Sequence, residues 1–186
     1  MVQGFHEADT GADKAAPVAS QESVHLLVAH VAKHGLFLRQ ADIRTVFLHA
    51  RVLPTAKAVY VIPPKGFECG SEQAKQYGDF RRGFMVLRLS PRRWYGTLHA
   101  YLLEIGFVPS PADPCLYILD AGKVMIVVYV DDTMLSESDE ECVLTIIEHL
   151  KERFDTVDLG DAKFLLGLGI QRNVHAGTIL LKQDAY

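Results

Sequence analysis

The sequence predicts an α+β fold, a largely antiparallel sheet with helices gathered on one face and ferredoxin-like in its centre. Three observations predict it. From residue 20 onward the element signals run helix, strand, loop region, helix, hairpin, helix, hairpin. Val124-Met125-Ile126-Val127-Val128-Tyr129-Val130 is an unbroken run of seven apolar or aromatic residues, which reads as a strand buried on both faces. A hydrophobic content of 49% and a charged content of 23% over 186 residues describe an ordinary globular chain, long enough for one domain with a substantial core.

Taken in order, residues 1–22 are polar and Ala-rich and read as a short strand followed by a loop. Ser20 caps a helix over about 21–34, in which Val24, Leu27, Val28 and Val31 fall on one face and Gly35 supplies the stop. Leu36 to Asp42 reads as a strand ending in a carboxylate, and Thr45-Val46-Phe47-Leu48 as a short helical turn. Val59 to Ile62 is a further strand, stopped by Pro63-Pro64; residues 65–83 read as loop with part of a hairpin.

Ser90-Pro91 signals a helix start, Ser at the N-cap and Pro at the first helical position. Trp94, Leu98, Leu102 and Ile105 form its apolar stripe, and Gly106 closes it. Cys115 to Leu119 and the 124–130 run form a hairpin about Asp120-Ala121-Gly122-Lys123. Ser138 and Glu141 make a capping box for a helix with Val143, Ile146, Ile147, Leu150 and Phe154 on one face. Leu159-Gly160 reads as a break, after which Phe164–Ile170 and Thr178–Leu181 form a final strand pair.

Several function classes are excluded. No apolar run reaches the roughly 18 residues that span a bilayer, and the charged start is no signal peptide. Three widely spaced cysteines and eight histidines show no metal-ligand spacing, and the odd thiol count points to a reducing compartment. No Ser/His/Asp arrangement, Gly-rich phosphate loop or zinc-binding histidine pair supports another chemistry. The net charge of −4 gives no global basic footprint, although Arg81, Arg82, Arg88, Arg92 and Arg93 cluster locally.

The chemistry-bearing stretch is Asp131-Asp132, at the end of the central run. Asp is a favoured turn residue, so one reading is a plain hairpin turn. The other is a cation site, because adjacent carboxylates at a buried strand tip repel each other unless a cation sits between them. If the strand ending in Asp42 lies beside this one, three carboxylates reach one rim. That set suits two Mg²⁺ ions roughly 3.5–4 Å apart.

Ordered segments then carry a resemblance. Asp42-Ile43-Arg44-Thr45-Val46-Phe47-Leu48, Pro63-Pro64-Lys65-Gly66-Phe67, Ser90-Pro91-Arg92-Arg93-Trp94 and Ala112-Asp113-Pro114-Cys115-Leu116-Tyr117 are four of them. Tyr129-Val130-Asp131-Asp132, Asp158-Leu159-Gly160-Asp161 and Leu166-Gly167 are three more. Together they resemble the reverse transcriptase domain of copia-type LTR retrotransposons over nearly the whole chain.

The resemblance implies a polymerase palm with partial fingers as a single domain over 1–186, without thumb or RNase H segments. It implies RNA-directed DNA polymerase activity: two-metal nucleotidyl transfer from a dNTP to a primer 3′-hydroxyl. Asp42, Asp131 and Asp132 would be catalytic and would hold two Mg²⁺ ions, with Mn²⁺ as a substitute and the Ile43 carbonyl assisting. Phe47 would gate against a ribose 2′-hydroxyl, or else be a core residue beside Leu48. Arg88 would meet phosphates, Tyr129 would border the primer terminus, and Leu166 and Gly167 would lie near the primer strand. Trp94 reads as core rather than as a stacking platform. Implied partners are an RNA or DNA template-primer, dNTP and the remainder of a polyprotein, with no membrane, in an intracellular, cytoplasmic setting.

The chain departs from the family pattern in places. Val86 stands where the family has Gly and Leu89 where it has Gln, and the basic residues before the Val2-Gln3-Gly4 position are absent. These departures keep a second reading open, a catalytically dead retrotransposon remnant acting at most as a nucleic-acid- or protein-binding domain.

Overall fold

A computed structural model describes residues 15–46 and 90–183 in full, and the backbone of 59–61 and 78–80. The chain divides into two compact units, one of Met1–Ala16 and Phe47–Leu98, the other of Pro17–Val46 and His99–Tyr186. In the first, β2 (Val59–Val61) pairs antiparallel with β3 (Gly78–Phe80), the partial hairpin expected there. The readings on residues 1–14 and 47–58, on most of 62–89 and on 184–186 lie outside the described residues.

The second unit is built on a six-stranded antiparallel sheet. β1 is Phe37–Ile43, β4 Val108–Pro109, β5 Leu116–Leu119, β6 Val124–Tyr129, β7 Asp132–Glu137 and β8 Thr156–Asp161. Their order is β4-β5-β6-β7-β1-β8, which seats β6, β7 and β1 in the interior of the sheet. Five of the six residues of β6 are buried, as the unbroken apolar run requires. A separate three-stranded sheet consists of β9 (Phe164–Leu165), β10 (Leu168–Asn173) and β11 (Thr178–Lys182). Its first turn, Leu166-Gly167, has φ of 51° and 80°, the two left-handed residues that a two-residue hairpin of type I′ calls for. Mixed helices and antiparallel sheets make the class α+β, as expected.

Helix α1 (Gln21–His34) keeps both predicted boundaries. Ser20 accepts from the Ser23 N–H, Gly35 takes φ 65°, and Val24, Leu27, Val28 and Val31 are buried. Helix α2 (Ser90–Glu104) begins one residue earlier than the capping motif suggests. Ser90 is its first residue rather than its cap, and the buried hydroxyl makes no hydrogen bond among the described residues. Trp94, Leu98 and Leu102 are buried, so Trp94 is a core residue. The cap of α3 (Glu140–Arg153) also moves: Asp139, not Ser138, accepts from the Glu141 N–H. Ser138 is already committed, donating both N–H and hydroxyl to Glu137.

A further correction concerns Leu159-Gly160, which is no break. Both lie inside β8, which pairs along β1 with a bulge: Gly160 faces Gln40 and Asp158 faces Ala41, leaving Leu159 without a partner. Gly160 absorbs the irregularity at φ 77°, a value that costs glycine little. Arg39 then joins three elements, bonding Asp158 of β8 at 2.8 Å and Glu140 of α3 at 3.1 Å.

Asp113 ties the start of α1 to the hairpin. Its carboxylate is 5% exposed and accepts from Ser20 N–H (2.9 Å), Ser23 hydroxyl (2.6 Å) and Cys115 N–H (2.8 Å). Burial alone would raise its pKa; the hydrogen bonds from Ser23, Ser20 and Cys115 outweigh that and hold it below the ordinary 3.8. Burial, reinforced by the Asp113 charge, pushes the neighbouring Cys115 thiol up to about 12, which leaves it inert. Among the described residues no helix is long and apolar enough to cross a membrane.

Asp113→Asn is therefore expected to cost about 2–3 kcal/mol in urea unfolding at pH 7. The folded-state pKa lies below the unfolded one, so the wild-type advantage is complete above pH 3.8 and fades as the pH falls through the folded value. An equal cost at pH 7 and at pH 2.5 would contradict this role.

Candidate active site

Register alone brings the carboxylates together. β1 and β7 pair with Asp42 opposite Asp132, and the Ile43 N–H donates to the Asp131 carbonyl at 3.0 Å just beyond. Residues directly opposite across an antiparallel pair share a face, so the Asp42 and Asp132 side chains lie on the same side of the sheet. Asp131 stands at the tip of the β6–β7 hairpin, exposed, while Asp42 and Asp132 are half-buried.

The hairpin is itself a tight turn. Tyr129 pairs with Asp132, leaving Val130-Asp131 as the two-residue loop. Val130 has φ 59° and Asp131 does not share that sign, the pattern of a type II′ turn, whose first position usually holds glycine. A β-branched residue in this region costs about 1–2 kcal/mol. The turn reading and the site reading thus describe the same residues: the turn holds the two carboxylates at the rim.

The electrostatics follow from the crowding. Burial raises the Asp132 pKa above 3.8, and the charges of Asp131 and Asp42 raise it further; a hydrogen bond from Gln40 opposes them. The three carboxylates therefore share one field. Their oxygen donors suit a hard divalent cation, which would relieve the repulsion. Among the described residues no group of three or more His, Cys, Asp or Glu side chains converges on a common point as a ready metal cage.

Other expected residues fall around a groove of about 1000 Å³ in the same unit. Its lining includes Tyr129, Asp132, Leu166 and Gly167 together with Gln40 and Lys163. Ile43 is buried beside Asp42, its N–H committed to Asp131. Phe47 and Arg88 lie outside the described residues, as do Val86 and Leu89. Gln40 and Lys163 are among the groove residues that the sequence did not mark. Gln40 donates from Nε2 to Asp132 Oδ1 at 3.2 Å, and Lys163 lines the groove beside Phe164. The signal for Gln40 was its spacing: a polar residue two positions before Asp42 in a strand shares its face.

The whole chain, residues 1–186, matches the family described as reverse transcriptase (RNA-dependent DNA polymerase), and it belongs to that family. Its curated relatives are copia-type transposon Pol polyproteins from plants and yeast. The retrovirus-related Pol polyprotein from transposon RE1 of Arabidopsis thaliana is 29% identical over 163 residues, 87% of this chain and 11% of the relative. The one from transposon TNT 1-94 of Nicotiana tabacum is 25% identical over 173 residues, 91% of this chain and 13% of the relative. The truncated transposon Ty1-A Gag-Pol polyprotein of Saccharomyces cerevisiae is 25% identical over 132 residues, 69% of this chain and 10% of the relative. The chain thus spans about a tenth of the length of these curated relatives. No solved structure matches it. Family membership implies dependence on divalent metal in general.

Two outcomes follow from the rim. Because the folded-state pKa of Asp132 lies above the unfolded 3.8, its charge costs stability at neutral pH, and the cost fades as the pH falls through the folded value. Asp132→Asn still accepts from Gln40 and should raise the melting temperature of the metal-free protein at pH 7 by roughly 2–4 °C; a lower melting temperature would contradict the account. Val130→Gly removes the φ penalty and should add about 1 kcal/mol in chemical denaturation, and a loss of stability would show the turn to be unstrained.

Proposed function

We propose that this chain is an RNA-directed DNA polymerase domain of a copia-type retrotransposon, a palm with partial fingers that transfers a nucleotidyl group from dNTP to a primer 3′-hydroxyl. The observation that carries the reading is the pairing of Asp42 with Asp132 beside the Asp131 turn, which sets three carboxylates along one strand edge, with Asp132 lining the groove. The order of elements supports the palm: β1, α2, β6, β7, α3 and β8 in sequence, with β6-β7-β1-β8 in space, is the ferredoxin-like arrangement. In this reading the helices gather on one face and the whole chain acts as one domain.

Asp42, Asp131 and Asp132, with the Ile43 carbonyl, would hold two Mg²⁺ ions, which Mn²⁺ could replace. When bound, the ions would lower the pKa of the primer hydroxyl and neutralise the triphosphate and the leaving pyrophosphate. The protein's own part is positional. The β1–β7 ladder fixes the spacing of the carboxylates, and the tight turn keeps Asp131 at the rim. Tyr129 borders the primer terminus, and the Leu166-Gly167 turn lies near the primer strand. Phe47 excludes the ribose 2′-hydroxyl, and Arg88 meets phosphate. The template-primer and dNTP are the partners, the remaining Pol domains complete the enzyme, and the setting is intracellular and cytoplasmic, away from the membrane.

The test is incorporation of deoxynucleotides on a primed RNA template with Mg²⁺ or Mn²⁺, beside an Asp131→Asn/Asp132→Asn control. Incorporation that the control reduces to background is the expected result. A folded protein that incorporates nothing would overturn the claim that this chain polymerises by itself.

A further inference from the structure

We propose that Gln40 is a positioning residue that holds the Asp132 carboxylate in a fixed orientation without cancelling its charge. This rests on the reading of Asp132 as a cation ligand.

Gln40 is 8% exposed on β1, a strand paired on both sides. A primary amide in such a place is costly unless it is hydrogen-bonded. It lies opposite Met134 while Asp42 lies opposite Asp132, so Gln40 and Asp132 are diagonal neighbours on one face. The glutamine side chain is long enough to cross that diagonal, and its Nε2 donates to Asp132 Oδ1 at 3.2 Å. The two adjacent aspartates are thus both tied to β1, in different ways. Asp131 is tied through its backbone carbonyl to the Ile43 N–H, and Asp132 through its side chain to Gln40.

Such a bond claims one of two carboxylate oxygens and restricts rotation about the Cβ–Cγ bond. The chemical type of the donor matters. An ammonium or guanidinium at position 40 would neutralise the rim and compete with a cation, whereas an amide donates with no net charge. A neutral donor behind an acidic ligand orients it while leaving its charge available, the usual work of a group one layer behind a metal.

The experiment compares wild type, Gln40→Met and Gln40→Lys. Mn²⁺ binding to the folded proteins is followed by the electron paramagnetic resonance of free Mn²⁺, with thermal melting and primer extension alongside. Gln40→Met keeps the size and removes the donor; it should weaken Mn²⁺ binding roughly 10–100-fold and lower kcat, with KM for dNTP within about twofold. Gln40→Lys should melt no lower than wild type, because its charge relieves the carboxylates, yet lose Mn²⁺ binding. If both variants melt lower and bind Mn²⁺ as tightly as wild type, Gln40 is a structural residue and the proposal is overturned. Weakened Mn²⁺ binding in Gln40→Met with no primer extension by wild type supports the positioning role and removes only the polymerase reading. A wild type that binds no Mn²⁺ overturns both.

Discussion

The antiparallel pairing of β1 with β7 is the constraint on which the candidate site depends. Side chains alternate faces along a strand, so a slip of one residue would turn Asp42 to the opposite side of the sheet from Asp132. Register is pinned because both strands are interior. Both faces are packed: β1 buries Leu38 on one and Ala41 and Ile43 on the other, and β7 buries Met134 and Leu135 on opposite faces, so a slip would have to repack two layers at once. Arg39 adds a polar lock, joining Asp158 and Glu140 from the same strand.

Around this ladder the molecule separates stable polar clusters from a strained one. Asp113 is a buried carboxylate whose donors more than compensate for the lost water, so its charge stabilises the fold. Asp132 is a less buried carboxylate with one amide donor and two like charges nearby, so its charge works against the fold. Val130, in the left-handed region at the same hairpin, adds backbone cost. Backbone strain and like-charge repulsion that meet at one hairpin tip are the pattern expected where a fold holds groups ready for a ligand.

Local chemistry made much of the fold legible. Ser20 and Gly35 bounded α1 because a hydroxyl acceptor and a left-handed glycine satisfy the helix ends from within the adjoining sequence. The errors arose where a distant or competing partner decided. Ser138 would be a good cap, but Glu137 engages it first and the role passes to Asp139. Leu159-Gly160 looked like a break because a bulge and a true chain break use the same residues; only pairing with β1 distinguishes them.

By itself the sequence determined the carboxylates, their family and the strands that carry them, because residue type and apolar period are local properties. Family membership followed from ordered motifs along the whole chain. Tertiary structure decided which carboxylate faces which, that Val130 bears the turn and that Gln40 reaches Asp132. Those are contacts between residues far apart in the chain, fixed by register and face. Spacing along one strand tells which of its residues share a face, but not which residues of another strand lie opposite them until the strands are paired.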